Sequence, residues 1–194
     1  MPFPIVGIGA SAGGLEAVSE FLAGLPATSG MAFLLVQHLD PHHESVLAEL
    51  LAEKTALPVR EAAEGLAVEP DQVYVIPPNA IMTLSQGRLA LVPRDDFPPP
   101  PMPVDHLFYS LAEEQGANAI GVILSGAGSD GALGLQAIKR SGGLTYAQDE
   151  GAAKFHGMPK AAAERGAVDR VLPPREIARE LARLGRHPYL TRDR

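Results

Sequence analysis

The sequence predicts a doubly wound α/β domain: a mainly parallel sheet with helices on both faces and a β-hairpin insertion. Short apolar runs alternate with stretches of helical periodicity, which is the pattern of βαβ units. Those runs are continuously apolar, as strands covered on both faces must be. Glycine-rich turns stand where such runs end and the next helix begins.

Ile5-Val6-Gly7-Ile8-Gly9 reads as a short buried strand running into a glycine-rich turn. A helix is expected over 13–23, with Leu15, Val18, Phe21 and Leu22 on one face. Ala32-Phe33-Leu34-Leu35-Val36 is the next buried strand, and a helix over 44–54 carries Leu47, Leu50 and Leu51. Val73-Tyr74-Val75-Ile76 is strand-like. The runs 81–84 and 89–92 flank Ser85-Gln86-Gly87-Arg88 as a β-hairpin. Pro98 to Pro101, with Pro103, exclude helix and central strand and read as a stiff spacer rather than a docking motif. A helix over 104–115 follows, then a buried strand over 119–124, a glycine-rich turn and a helix over 132–140. Strands over 144–147 and 168–172 and a closing helix over 175–184 complete the pattern. No internal repeat is visible, and 1–194 is read as a single domain.

Composition narrows the function classes. With 194 residues, 46% hydrophobic and 20% charged, the chain can bury a core without staples. It has no cysteine, which excludes disulfides, thiolate metal sites and a cysteine nucleophile, and is compatible with a reducing compartment. Sixteen Lys and Arg against 23 Asp and Glu give a net charge of −7; Trp is absent and no basic run exists, which argues against a nucleic-acid groove. No stretch has the apolar length of a membrane span, and the first residues lack the basic and apolar regions of a signal peptide. A cytoplasmic protein, not inserted in a membrane, is expected.

In an open parallel sheet, chemistry sits beyond the carboxyl ends of the strands. The first such end is Gly9-Ala10-Ser11-Ala12-Gly13, a G-x-S-x-G turn that would expose a serine beside a helix N-terminus. The same stretch also fits G-x-G-x-x-A, the looser dinucleotide fingerprint, so this turn alone leaves both readings open. The second strand end decides between them. A dinucleotide site expects an acidic residue there, whereas Val36-Gln37-His38-Leu39-Asp40-Pro41 presents an amide and an imidazole first, with Asp40 late. His38 is what Ser11 needs as a base. A further turn, Ser125-Gly126-Ala127-Gly128-Ser129-Asp130-Gly131, supplies Asp130, either as a carboxylate orienting His38 or simply as a cap for the following helix.

Gly7-Ile8-Gly9-Ala10-Ser11-Ala12-Gly13-Gly14, Val36-Gln37-His38, Leu124-Ser125-Gly126-Ala127-Gly128-Ser129-Asp130-Gly131 and Phe155-His156-Gly157-Met158-Pro159 occur in that order. Together they resemble the catalytic domain of the CheB family, the chemotaxis protein-glutamate methylesterases, over about 5–184. The resemblance implies a doubly wound sheet, a Ser-His-Asp triad on Ser11, His38 and Asp130, and hydrolysis of receptor glutamyl methyl esters with possible deamidation of glutamines. It implies a methylated chemoreceptor or similar signalling protein as partner, and no metal or organic cofactor. Backbone amides near Ala12 and Ala127 are expected to face the oxyanion, with Gln37 and Ser129 in support.

Departures accompany the resemblance. Ala12 stands where the well-known chemotaxis enzymes have threonine, Ala127 where they have methionine, and their arginine-containing stretch before the helix at 104 differs here. The Ser-Ala-Gly-Gly wording and Gln37-His38-Leu39-Asp40-Pro41 look more like methylesterase-like domains fused to methyltransferases. No receiver domain is read in 1–194, so a site open without phosphorylation is expected. His38, His42 and His43 do not form a convincing metal motif, since Pro41 breaks their spacing. His106 and His156 read as helix and loop residues, and Met158 as packing. The competing class is a non-catalytic signalling or nucleotide-binding module on the same sheet.

Overall fold

The protein is described by a computed structural model covering residues 3–38 and 46–185. Strand β1 (Ile5–Ala10) lies between β2 (Ala32–Gln37) and β7 (Ala119–Ile123), parallel to both, with Gly7 opposite Leu34 on one side and Gly121 on the other. All of these strands are apolar and buried, as the sequence predicts for the centre of a parallel sheet. Outward from β2 come β4 (Val73–Val75) and the edge strand β3 (Val59–Glu61); outward from β7 come β8 (Leu144–Gln148) and β9 (Arg170–Leu172). The seven-stranded order is β3-β4-β2-β1-β7-β8-β9. The strand order therefore reverses between β1 and β7, which makes their carboxyl ends the topological switch point of the sheet.

The alternation of side chains along each strand divides the core into two. Val6 and Ile8 face α1 (Gly14–Ala23), α2 (Leu47–Ala52) and α6 (Pro174–Gly185), whose Phe21, Leu22, Leu51, Ile177 and Leu181 are buried. The other face packs on α3 (Pro103–Gln115), α4 (Ala132–Arg140) and α5 (Gly157–Glu164), through Leu107, Phe108, Leu111, Leu135, Ile138 and Met158. Gly7, Gly9 and Gly121 point to that second face. A Cβ on Gly7 would stand 2.5 Å from Leu111 Cδ1, and one on Gly121 the same distance from Leu135 Cδ1, while Gly9 lies hard against Val104. The glycines of β1 and β7 let α3 and α4 lie directly on the sheet.

The antiparallel hairpin is β5 (Ala80–Ser85) with β6 (Arg88–Pro93), and its tight turn is Gln86-Gly87. It covers one edge of the α3 side through Met82, Leu84 and Leu89. The helix expected over 44–54 is α2, observed at 47–52; residues 39–45 lie outside the described ones. Among the described residues, the strand and the α-helix not anticipated are β3 and α5, and short 3₁₀ turns also stand at Arg94–Asp96 and Gly116–Asn118. The strand expected over 168–172 is confined to 170–172.

Candidate active site

Ser11 follows the last residue of β1. The turn behind it closes when the Gly14 N–H donates to the Ser11 carbonyl at 2.8 Å. Gly13 takes φ +70, the left-handed region, and so lets the chain pass from strand into α1 with its carbonyls and amides in this order. The Ser11 N–H donates to the Ser125 carbonyl at 3.0 Å, which ties the end of β1 to the end of β7 across the switch point. Ser11 is 8% exposed, and its hydroxyl oxygen accepts a hydrogen bond from the Ala127 N–H at 2.9 Å. A Cβ on Gly126 would approach that oxygen to 2.6 Å, so glycine there leaves the hydroxyl its space.

His38 is the first residue beyond β2, and its N–H donates to the Ala10 carbonyl at 3.1 Å. Its ring Nε2 lies 2.9 Å from Asp130 Oδ2. The carboxylate of Asp130 is only 4% exposed, while the imidazole is 31% exposed, so the pair has a buried acidic end and an open basic end. Asp130 also accepts the Val104 N–H at 3.0 Å and the Asp105 N–H at 2.9 Å. It therefore caps α3, which precedes it in the chain, and not α4, the helix that follows; α4 begins after Gly131 with no side-chain cap. The open amides of the first turn of α3 supply positive potential to this carboxylate. Ser11, His38 and Asp130 are thus gathered at the carboxyl ends of β1, β2 and β7, with the imidazole already paired to Asp130. Among the described residues no hydrogen bond joins the Ser11 hydroxyl to His38.

Several supporting residues escaped the sequence reading. Ser125 is 1% exposed; its hydroxyl donates to the Ala12 carbonyl at 2.8 Å and accepts the Phe155 N–H at 3.0 Å. Its own N–H donates to Gln148 Oε1 at 2.8 Å. Asp105, 4% exposed, accepts the Gly134 N–H at 2.8 Å and so locks α3 to α4. Burial pushes the Asp105 carboxyl above the usual carboxylate range, and the nearby Asp130 adds to this, against the hydrogen bonds from Gly134 and Gly131. The signal in the sequence was thin: a serine and an aspartate of ordinary types whose partners lie far along the chain.

The remaining residues singled out from sequence occupy distinct places. Gln37 Nε2 donates to the Ser11 carbonyl at 2.6 Å. Ala12 is half-buried in the turn after β1, whereas Ala127 and Ser129 are exposed on the turn after β7. His106 packs its ring against Phe97 at 4.7 Å between centroids, and His156 precedes α5. Met158 is fully buried, and its N–H donates to the Gly126 carbonyl at 2.9 Å. Asp40, His42 and His43 lie outside the described residues. Gly7 and Gly9, the first glycines of the dinucleotide fingerprint, lie within β1 under α3 rather than in the turn, so they serve helix packing and not the approach of a phosphate.

Taken together, the fold and these residues define a doubly wound α/β domain with a serine, a histidine and an aspartate assembled at its topological switch point. The family model described as CheB methylesterase matches residues 6–181, and the chain belongs to the CheB methylesterase family. It is 40% identical over 184 residues to protein-glutamate methylesterase/protein-glutamine glutaminase 1 of Carboxydothermus hydrogenoformans, covering 92% of this chain and 54% of that protein. It is 42% identical over 185 residues to protein-glutamate methylesterase/protein-glutamine glutaminase 2 of Anaeromyxobacter dehalogenans, covering 94% and 53%. The chain thus spans about half the length of these curated relatives. The crystal structure of the Thermotoga maritima CheB methylesterase catalytic domain superposes with a TM-score of 0.85 at 31% identity, over 94% of this chain and 98% of that one. Among the described residues no helix is long and apolar enough to cross a membrane.

Proposed function

We propose that this chain is a serine hydrolase that demethylates glutamyl methyl esters, and deamidates glutamines, on a methylated chemoreceptor or similar signalling protein in the cytoplasm. The observation that carries this reading is the paired His38 and Asp130, 2.9 Å apart, beside a serine hydroxyl held in a glycine turn. Asp130 meets the imidazole through Nε2, which leaves Nδ1 to take the Ser11 proton. The Ser11 oxygen then attacks the ester carbonyl, and the imidazolium returns the proton as methanol leaves, giving a glutamyl ester on Ser11. Water, losing a proton to His38, attacks that ester; as the bond to the Ser11 oxygen breaks, His38 returns the proton to it, freeing the glutamate side chain and restoring the serine hydroxyl. Asp130 stabilises the charged imidazole in both steps, while His38 closes on Ser11 when substrate is bound, as catalytic hydrogen bonds tighten in the complex.

The Ala12 and Ala127 N–H groups are the oxyanion donors in this scheme. Ala127 N–H already bonds the Ser11 oxygen at 2.9 Å, so it stands next to the reacting atom. Because these donors are main-chain groups, alanine in place of threonine or methionine alters the shape of the pocket rather than the chemistry. No metal or organic cofactor enters the scheme.

The test is intact-mass analysis after exposure to a fluorophosphonate, together with methanol release from a methylated receptor fragment. Stoichiometric labelling at Ser11, and a loss of turnover by several orders of magnitude in Ser11→Ala, are expected. Wild-type turnover by Ser11→Ala would sink the assignment.

A further inference from the structure

The amide that meets the Ser11 carbonyl carries a buried oxygen with no partner among the described residues. Gln37 Nε2 donates to the Ser11 carbonyl at 2.6 Å, yet the other end of the same amide, Oε1, is buried with no hydrogen-bond partner among the described residues. Gly14 makes room for it: a Cβ there would collide with the Gln37 amide. A glutamine that leaves its own acceptor unsatisfied is a net cost to folding unless its other bond does something a packed apolar side chain could not.

What that bond holds is the peptide between Ser11 and Ala12. This peptide is planar and trans, so its carbonyl and its N–H point in opposite directions. Gln37 and the Gly14 N–H, at 2.6 and 2.8 Å, hold the Ser11 carbonyl on one side. The opposite side is the Ala12 N–H, which has no partner among the described residues. The next peptide is pinned as well, by the Ser125 hydroxyl on the Ala12 carbonyl at 2.8 Å. Ends of β2 and β7 thus grip the turn from both sides and leave one amide unspent.

We infer that Gln37 is a positioning residue for acyl transfer: its amide fixes the Ser11–Ala12 peptide so that the Ala12 N–H is held ready for the oxyanion. The inference rests on the proposed chemistry at Ser11. A donor aimed in advance need not reorient as charge develops, and that is where such donors gain their effect. Gln37 touches neither substrate nor proton; it acts through the backbone.

The experiment is Gln37→Met, which keeps the length of the side chain and removes both the donor and the stranded oxygen. Two rates are measured in the full chain: fluorophosphonate labelling of Ser11, and methanol release from a methylated receptor fragment. Both are expected to fall about 10- to 100-fold, with KM within about twofold and a melting midpoint no lower than wild type. Gln37→Leu, which also lacks the donor, serves if the methionine variant does not fold. Labelling at the wild-type rate overturns the inference. So does a slowed rate accompanied by a lowered melting midpoint, because Gln37 would then be supporting the fold alone. If wild type is labelled at Ser11 but leaves the glutamyl ester intact, the methylesterase reading fails while the labelling rates still decide the role of Gln37. If wild type is not labelled at all, both fail.

Discussion

Asp130 is asked to do two things with one carboxylate. Oδ2 serves the His38 ring and the Val104 N–H, and Oδ1 serves the Asp105 N–H. An asparagine has one oxygen for these donors and turns its NH2 toward the rest. Asp130→Asn is therefore expected to reduce turnover by about 10⁴-fold, the size of effect that follows loss of the orienting carboxylate in a serine protease. It is also expected to lower stability by about 1–3 kcal/mol, because a buried N–H at the start of α3 loses its acceptor. Kinetics and urea unfolding on the same preparation check the pair. An inactive variant of wild-type stability would show that Asp130 serves only the imidazole. The sequence named this residue and offered it two roles, orienting His38 or capping the next helix. Its cap is in fact on α3, whose Val104 and Asp105 amides stand 26 and 25 residues earlier in the chain, a closure with no local signature.

At the scale of elements, contact across the sheet explains which predictions hold. The central strands are legible since they are buried on both sides and hence continuously apolar. β3 is not, because Val59-Arg60-Glu61 sits at the edge, half-buried or exposed, and has neither an apolar run nor an alternation long enough to read. α5 was hidden by Gly157 and Pro159 at its start and by a buried face made only of Met158, Pro159 and Ala162. The glycines of β1 were legible as letters but ambiguous in use, and α3 resolves them. Leu111 already occupies the space in which a side chain on Gly7 would begin, 2.5 Å from its Cβ. Gly7→Ala is expected to destabilise by about 1–3 kcal/mol through overpacking, and Gly7→Ala combined with Leu111→Ala to recover part of that loss. Urea midpoints of the two variants measure it. A Gly7→Ala protein of unchanged midpoint would mean that α3 moves freely off the sheet.

On the scale of the whole molecule, the three residues of the proposed triad come from strand ends belonging to a sheet whose faces are separate cores. One core holds Tyr74 and the other Tyr146, both buried. The Tyr74 hydroxyl accepts the Glu69 N–H at 2.9 Å, and burial, reinforced by Glu180, pushes the Tyr146 hydroxyl up to about 12, so each ring reports its own surroundings. The strands that carry Ser11, His38 and Asp130 contribute alternate side chains to both cores, with Ile5 and Val6 on opposite faces of β1 and Val122 and Ile123 on opposite faces of β7. Neither face can lose its packing while the other keeps the register of these strands, so loss of either core should disassemble the site. The chain contains four tyrosines and no tryptophan, which makes uniform 3-fluorotyrosine labelling a sparse probe. In a urea titration followed by fluorine NMR, the folded signals of Tyr74 and Tyr146 are expected to vanish at one midpoint, together with fluorophosphonate labelling of Ser11. Separate midpoints for the two rings, with labelling following only one, would show that the faces unfold as independent units and that the site depends on a single core.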